Sequence, residues 1–349
     1  MVYELNRVFT AMVDRAATSV HLKAKTPVYF RVLDLIEKTS LPVPTNEDLQ
    51  GLATKILGDA ERERLRVKQQ VDCVMTLGTP PRRYRVCFFC QRDSTGLVLR
   101  PIADKPPTTA EIGLPTFARE VLSKRRGLLL VTGPASSGKT TTVAAILNTW
   151  IKELDSHIVT LEDPIEYVLA SDRSLVTQRQ VGVDTETFAS GLRHVLRQDP
   201  DIIYVGELSD VETVTIAMAA AETGHLVIST LHTPTAAASV EQIIGMYPPD
   251  FQDQVRLRLS VTLQGVLSQV LVPTVDRTRR IAVFEVLTPT EAIRGLIRQN
   301  QSFRVAEAME TSANCCTFRI GMAQLVQRGI VAQSQLRRYA GERSFATLG

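Results

Sequence analysis

Two regimes of hydrophobic patterning divide this chain. In the first hundred residues, "RYRVCFFCQ" and "GLVLRPI" carry the period of strands, and "NEDLQGLATKIL" carries the period of an amphipathic helix. That mixture predicts a small α/β domain over residues 1–100. Beyond residue 116, the short apolar runs "GLLLVT", "HIVTLED", "DIIYVGE" and "HLVISTLHT" alternate with helical stretches, the pattern of a sheet flanked by helices. One such helix, "TETFASGLRHVLRQ", gathers Phe188, Leu192, Val195 and Leu196 on one face before Pro200 stops it. The last third reads as mostly helical, with a C-terminal helical region from about residue 288 to 349. Between the regimes lies "PIADKPPTTAEIGLP", residues 101–115, where Pro101, Pro106, Pro107 and Pro115 favour an extended linker.

Composition narrows the picture only a little. A chain of 349 residues, 44% hydrophobic and 22% charged, has material for two soluble globular domains. Its net charge of +3 is too mild to argue for a nucleic-acid or lipid partner. The N-terminal segment has no signal-peptide core and no run is long enough to span a bilayer, so a cytoplasmic location is expected. Five cysteines suit a reducing compartment. Cys87 and Cys90 lie three apart on a strand and should face opposite ways, and Cys315 and Cys316 are adjacent, so all five read as packing residues with no metal.

The chemistry concentrates in "VTGPASSGKTTTV", residues 131–143, where Gly133, Gly138, Lys139 and Thr140 fill the pattern GxxxxGK[ST] between an apolar strand and a helix. In that context the backbone of Gly133, Pro134, Ala135, Ser136, Ser137 and Gly138, with Thr141, would cradle phosphates. Lys139 would reach the β and γ oxygens, and Thr140 would ligate Mg2+. Alone the loop implies ATP or GTP. Ser136 stands where such loops often carry glycine, so a positive φ there would be strained.

Acidic partners are expected at the C-terminal ends of neighbouring strands. "IVTLEDPIEYV" supplies Glu162, Asp163 and Glu166, and "DPDIIYVGELSD" supplies Glu207. Glu207 is the natural ligand for magnesium and water, and Glu166 the candidate base. His225 and His232 flank a further strand at its opposite ends. Read alone, each is as well explained as a surface or core histidine.

These four blocks, "GPASSGKT", "TLEDPIEYV", "RQDPDIIYVGELSD" and "ETGHLVISTLHT", resemble in order and spacing the Walker A, Asp, Walker B and His boxes of the type II and type IV secretion ATPase superfamily. Lacking paired CxxC motifs and carrying "TEAIRGLIRQ", similar to the AIRNLIRE motif, the chain looks most like the retraction ATPases of type IV pili. The resemblance implies PAS-like N-terminal domains on RecA-like motors in a homohexamer, ATP with Mg2+ between domains, and work on an inner-membrane platform protein. A paralogous ATPase would be a further partner if the chain is a regulatory ring subunit, and without a clustered basic stripe nucleic acid is not expected. It also implies Glu166 as catalytic glutamate, Glu207 as Walker B acid, His225 and His232 as His-box residues, and Arg83, Arg85 and Arg100 as arginines directed at phosphate. Alternatives within reach are an accessory or extension ATPase of a related system and a weakly hydrolysing regulatory ring subunit.

Three positions depart from that pattern. "TSVHLKA" resembles the SDLHL motif with Val20 in place of the acid, and Ser209 stands where the usual GExRD has its arginine. The third is Ser136. Ser209 and Glu212 read as a capping box for "DVETVTIAMAAAE", and Thr288, Pro289 and Glu291 as the start of a helix. That helix carries an apolar stripe of Ile293, Leu296 and Ile297, and sets Arg294 and Arg298 on another face as a coupling surface.

Overall fold

The computed structural model describes residues 4–33, 35–103 and 105–335. They form two compact units: one comprises the residues up to Lys105 together with Pro164–Val168, the other Pro106–Asp163 and the residues from Leu169 on.

The first unit contains helix α1 (Leu5–Asp14), strands β1 (Ser19–Lys23), β2 (Tyr29–Val32) and β3 (Leu35–Lys38), helices α2 (Asn46–Ile56) and α3 (Asp59–Lys68), and strands β4 (Gln70–Leu77), β5 (Arg82–Gln91) and β6 (Ser94–Pro101). Its sheet is antiparallel in the order β3-β2-β1-β6-β5-β4. One face carries Val20, Leu22, Phe30, Val86, Phe88, Leu97 and Leu99, all fully buried, into a core completed by Val8 and Phe9 of α1 and Leu49 of α2. Each such side chain contributes roughly 1.5–3 kcal/mol. Because side chains alternate along a strand, Ser19, His21, Arg83, Arg85, Cys87 and Arg100 occupy the other face.

That alternation corrects the reading of Val20. The valine is a core residue, whereas Ser19 shares a face with His21 and places its Oγ 3.1 Å from His21 Nε2. Matching the His-Leu pair of the motif likewise puts Ser19, rather than Val20, opposite the acid. The cysteines also divide: Cys73, Cys315 and Cys316 are buried as expected, but Cys90 is exposed near the end of β5 and packs in no core.

The second unit runs through α4 (Ala118–Leu122), β7 (Gly127–Thr132), α5 (Lys139–Glu153), β8 (His157–Glu162), β9 (Leu175–Gln180), α6 (Phe188–Val195), β10 (Ile202–Val205), α7 (Val211–Glu222), β11 (Leu226–Leu231), α8 (Ala236–Gly245), α9 (Pro249–Thr262), β12 (Leu263–Pro273), β13 (Arg280–Leu287), α10 (Glu291–Arg298), α11 (Val305–Thr311) and α12 (Phe318–Gln327). Its sheet has the order β13-β12-β7-β11-β10-β8-β9, parallel throughout except for the edge strand β13. Every residue of β7, β10 and β11 is buried. With both faces covered, polar chemistry is confined to the strand ends.

Four local expectations change. The last third is helical for the most part among the described residues, but β12 and β13 interrupt it with a long antiparallel pair that the pattern did not announce. Most of β12 is buried on both faces, so its apolar run has no clear period of two. The proline-rich connection is not extended throughout: residues 108–114 form a turn, in which Gly113 N donates to Ala110 O at 3.0 Å and Leu114 N to Thr109 O at 3.0 Å. Helix α7 is capped by Asp210, whose carboxylate accepts from the Thr213 amide at 2.8 Å, so Ser209 lies outside the cap. Helix α10 is capped by Thr290, not Thr288, which is buried two residues earlier. Its stripe holds, with Ile293 and Ile297 buried, but its arginines are engaged locally, Arg294 with the Ser260 carbonyl and Arg298 with Glu291.

Candidate nucleotide site

Strand β7 ends at Thr132 and α5 begins at Lys139, so the loop 133–138 connects a buried strand to a helix N-terminus. Gly133 has φ 148° and Gly138 φ 90°, and a Cβ on Gly133 would overlap the carbonyl oxygen of Gln269. Only glycine fits there. Ser136 takes φ 62° while bearing a side chain, a left-handed conformation costing roughly 1–2 kcal/mol. Pro134, Ala135 and Ser136 form the exposed crest, and Ser137 is buried beneath it.

Lys139 is only 8% exposed. Its Nζ donates to Gly133 O at 2.8 Å and Pro134 O at 3.1 Å, and lies 3.1 Å from His232 Nδ1. Burial pushes the pKa of this ammonium below the usual lysine range, and the charge of Glu207 partly opposes the shift. With lysine as donor, Nδ1 must accept, so the proton of a neutral ring belongs on Nε2, which lies 3.5 Å from Glu207 Oε1. Lys139, His232 and Glu207 thus form one line from helix α5 through the end of β11 to the end of β10. Neutral carbonyls are weak partners for a buried cation, and an anionic phosphate would displace them. Thr140, at the second position of α5, and the half-exposed Glu207 offer the oxygen donors that Mg2+ prefers.

Buried hydroxyls connect the two loops behind the site. Thr132 Oγ1 is 2.6 Å from Ser268 Oγ, Ser239 Oγ donates to Thr132 Oγ1 at 3.3 Å, and Thr233 Oγ1 is 2.6 Å from Ser239 Oγ. The residue before the phosphate loop and the residue after His232 are therefore tied through α8. Glu207 is placed by main-chain bonds that continue the sheet register: Gly206 N donates to Leu161 O at 2.8 Å and Leu208 N to Thr230 O at 3.1 Å.

The other expected residues fall elsewhere. Glu162 is buried at the end of β8, where its Oε1 accepts from Thr160 Oγ1 at 2.7 Å and Gln178 Nε2 at 2.9 Å, and Asp163 beside it is exposed. His225 precedes β11 and bonds with its own turn, Nδ1 lying 3.0 Å from Ala220 O. It pairs with the start of β7 through Gly127 N, six residues of parallel strand from the phosphate loop, roughly 20 Å. His225 therefore does not reach the phosphate loop, a correction to its expected place at the nucleotide. Glu166 belongs to the first unit. There Arg83 donates to the carbonyls of Glu166 and, at 2.9 Å, Ile165, and Arg85 Nη1 donates to Glu166 Oε1 at 3.3 Å. Arg100 stands opposite Arg85 across the β5–β6 pair.

Sequence reasoning missed two contributors. A cleft of about 760 Å3 opens beside Gly138, Thr141 and Thr142, walled by the folded connection 110–117 and by Gln269 and Arg280. Its size suits a small organic ligand. Gln269 sits on β12, in the stretch whose period gave no signal.

The profile of the type II/IV secretion system proteins matches residues 5–338. This chain belongs to that family. It is 39% identical over 308 residues, 88% of this chain and 93% of the other, to the uncharacterized protein YggR of Escherichia coli. It is 37% identical over 328 residues, 93% of this chain and 95% of the other, to the type IV pilus retraction ATPase PilT of Pseudomonas aeruginosa. Among solved structures, that of the pilus retraction motor PilT with bound ADP superposes with a TM-score of 0.83 at 36% identity, covering 96% of each chain. The mixed α/β architecture, an N-terminal domain followed by an ATPase domain, is that of the family.

Proposed function

We propose that this protein is an ATP-hydrolysing motor that powers retraction of a type IV pilus. The observation that carries the reading is the buried ammonium of Lys139, held by neutral acceptors within a strand–loop–helix phosphate site and lined up with His232 and Glu207. The likeness to PilT over nearly the whole chain supports the same reading.

In this proposal the amides of residues 133–138 and the N-terminus of α5 hold the phosphates, and Lys139 turns from the loop carbonyls to the β and γ oxygens. Thr140 and Glu207 would hold Mg2+, which supplies charge neutralisation on the phosphate oxygens when bound. Glu166 acts as the base toward water, and Arg83, Arg85 and Arg100 are the N-terminal cations directed at phosphate. The functional assembly is a homohexamer working on an inner-membrane platform protein from the cytoplasmic side, with a paralogous ATPase as further partner. Among the described residues, no helix is long and apolar enough to cross a membrane.

Cells lacking the protein test the direction of work. Retained surface pili with lost twitching motility are expected, and loss of the pili themselves would indicate an extension motor instead.

A further inference from the structure

We infer that Gln269 is a positioning residue of the phosphate loop, setting the direction of the Gly138 amide by holding the Ser137 carbonyl. This rests on reading residues 133–140 as the nucleotide site.

Gln269 is 1% exposed on β12 and reaches the loop in two ways. Its side-chain Nε2 donates to Ser137 O at 2.6 Å, and its own carbonyl oxygen occupies the space a Cβ on Gly133 would need. A Cβ on Gly138 would come within 3.2 Å of the same Nε2. The amide orientation is dictated, since turning it over would set two oxygens against each other.

In a trans peptide the carbonyl and the following N–H point in opposite directions. Anchoring Ser137 O toward β12 therefore turns Gly138 N–H away from β12, and a phosphate cradle needs its N–H groups on the side opposite its carbonyls. The loop carries local strain against this shape, since Ser136 takes a left-handed φ of 62° with a side chain attached. The remaining amide oxygen of Gln269, Oε1, is buried and finds no hydrogen-bond partner among the described residues. A buried acceptor left unpaired marks a residue kept for something other than stability.

The test is the affinity of the full chain for a fluorescent ADP analogue from pH 5.5 to 8.5, for wild type, Gln269→Met and Gln269→Glu, with thermal unfolding of each. Methionine keeps the buried volume and removes the donor, so affinity should fall about tenfold with little change in melting temperature. Glutamate can donate to Ser137 O only when protonated, and its ionised form also repels phosphate, so Gln269→Glu should bind at least as weakly as Gln269→Met at pH 8.5 and recover toward wild type at pH 5.5. Glu111, Lys139, Arg279, Arg280, Cys316 and Arg328, the charged and titratable groups of loop and cleft, are common to all three proteins, so wild type and Gln269→Met give the baseline for their own titration, while their charges act on the new carboxyl in Gln269→Glu alone. Wild-type affinity in both variants overturns the inference, as does a weakened Gln269→Glu whose pH profile parallels wild type. A wild-type chain that binds no analogue overturns the nucleotide reading itself.

Discussion

The two sheets of this molecule carry their polar chemistry in different places. In the parallel sheet, β7, β10 and β11 are buried on both faces, and the side chains fit for chemistry, Lys139, Glu207 and His232, follow the C-terminal ends of those strands. In the antiparallel sheet one face is core, and Arg83, Arg85 and Arg100 stand on the other. A covered sheet offers only its ends, where main-chain register places a residue with little help from its own side chain. A half-covered sheet offers a face, where position depends on what the side chains grip, here the Glu166 segment.

The contrast can be broken from either side. Lys139→Ala should have the largest effect, removing the buried loop ammonium proposed to reach the phosphates, and nucleotide binding should fall below detection by titration calorimetry. Glu166→Gln probes the other sheet. Its amide oxygen can still accept from Arg85, so stability should change by less than about 1 kcal/mol, while the turnover number falls on the order of 10²- to 10⁴-fold if Glu166 is the base.

A pH experiment sharpens the description of the strand-end site. Lys139 has a folded pKa below its unfolded value, so the unfolded chain binds more protons between the two. The penalty of the buried charge is complete below the folded value and is relieved as pH rises through it toward about 10. Without nucleotide, the stability of wild type relative to Lys139→Met should therefore climb across that window, and a flat difference would contradict a depressed lysine. The smallest expected effect is that of Ser136→Gly, which relieves the left-handed strain but adds unfolded-state entropy. A net gain of about 0.5 kcal/mol in chemical denaturation is expected.

The same contrast explains what the sequence disclosed. Strand ends in a covered sheet are marked by an apolar run followed at once by glycine, lysine or acid, so the phosphate loop, Glu207 and His232 were legible as motifs. Faces and caps are decided by neighbours distant in sequence. Val20 was misplaced by one residue, which on a strand means the wrong face. Asp210 took the cap expected of Ser209, and Thr290 that expected of Thr288, because polar residues one or two positions apart compete and main-chain geometry selects between them. His225 lay in a recognisable block, yet the strand within that block carries its two histidines to opposite ends of β11. Gln269 was invisible because a doubly buried strand hides which of its residues faces the loop.

The most direct test of the central claim is steady-state ATP hydrolysis by the purified chain beside Glu207→Gln, with nucleotide affinity measured on both. The strand-end account predicts turnover by the wild type, and its loss in Glu207→Gln with affinity for ATP retained. Undiminished hydrolysis by Glu207→Gln would contradict it.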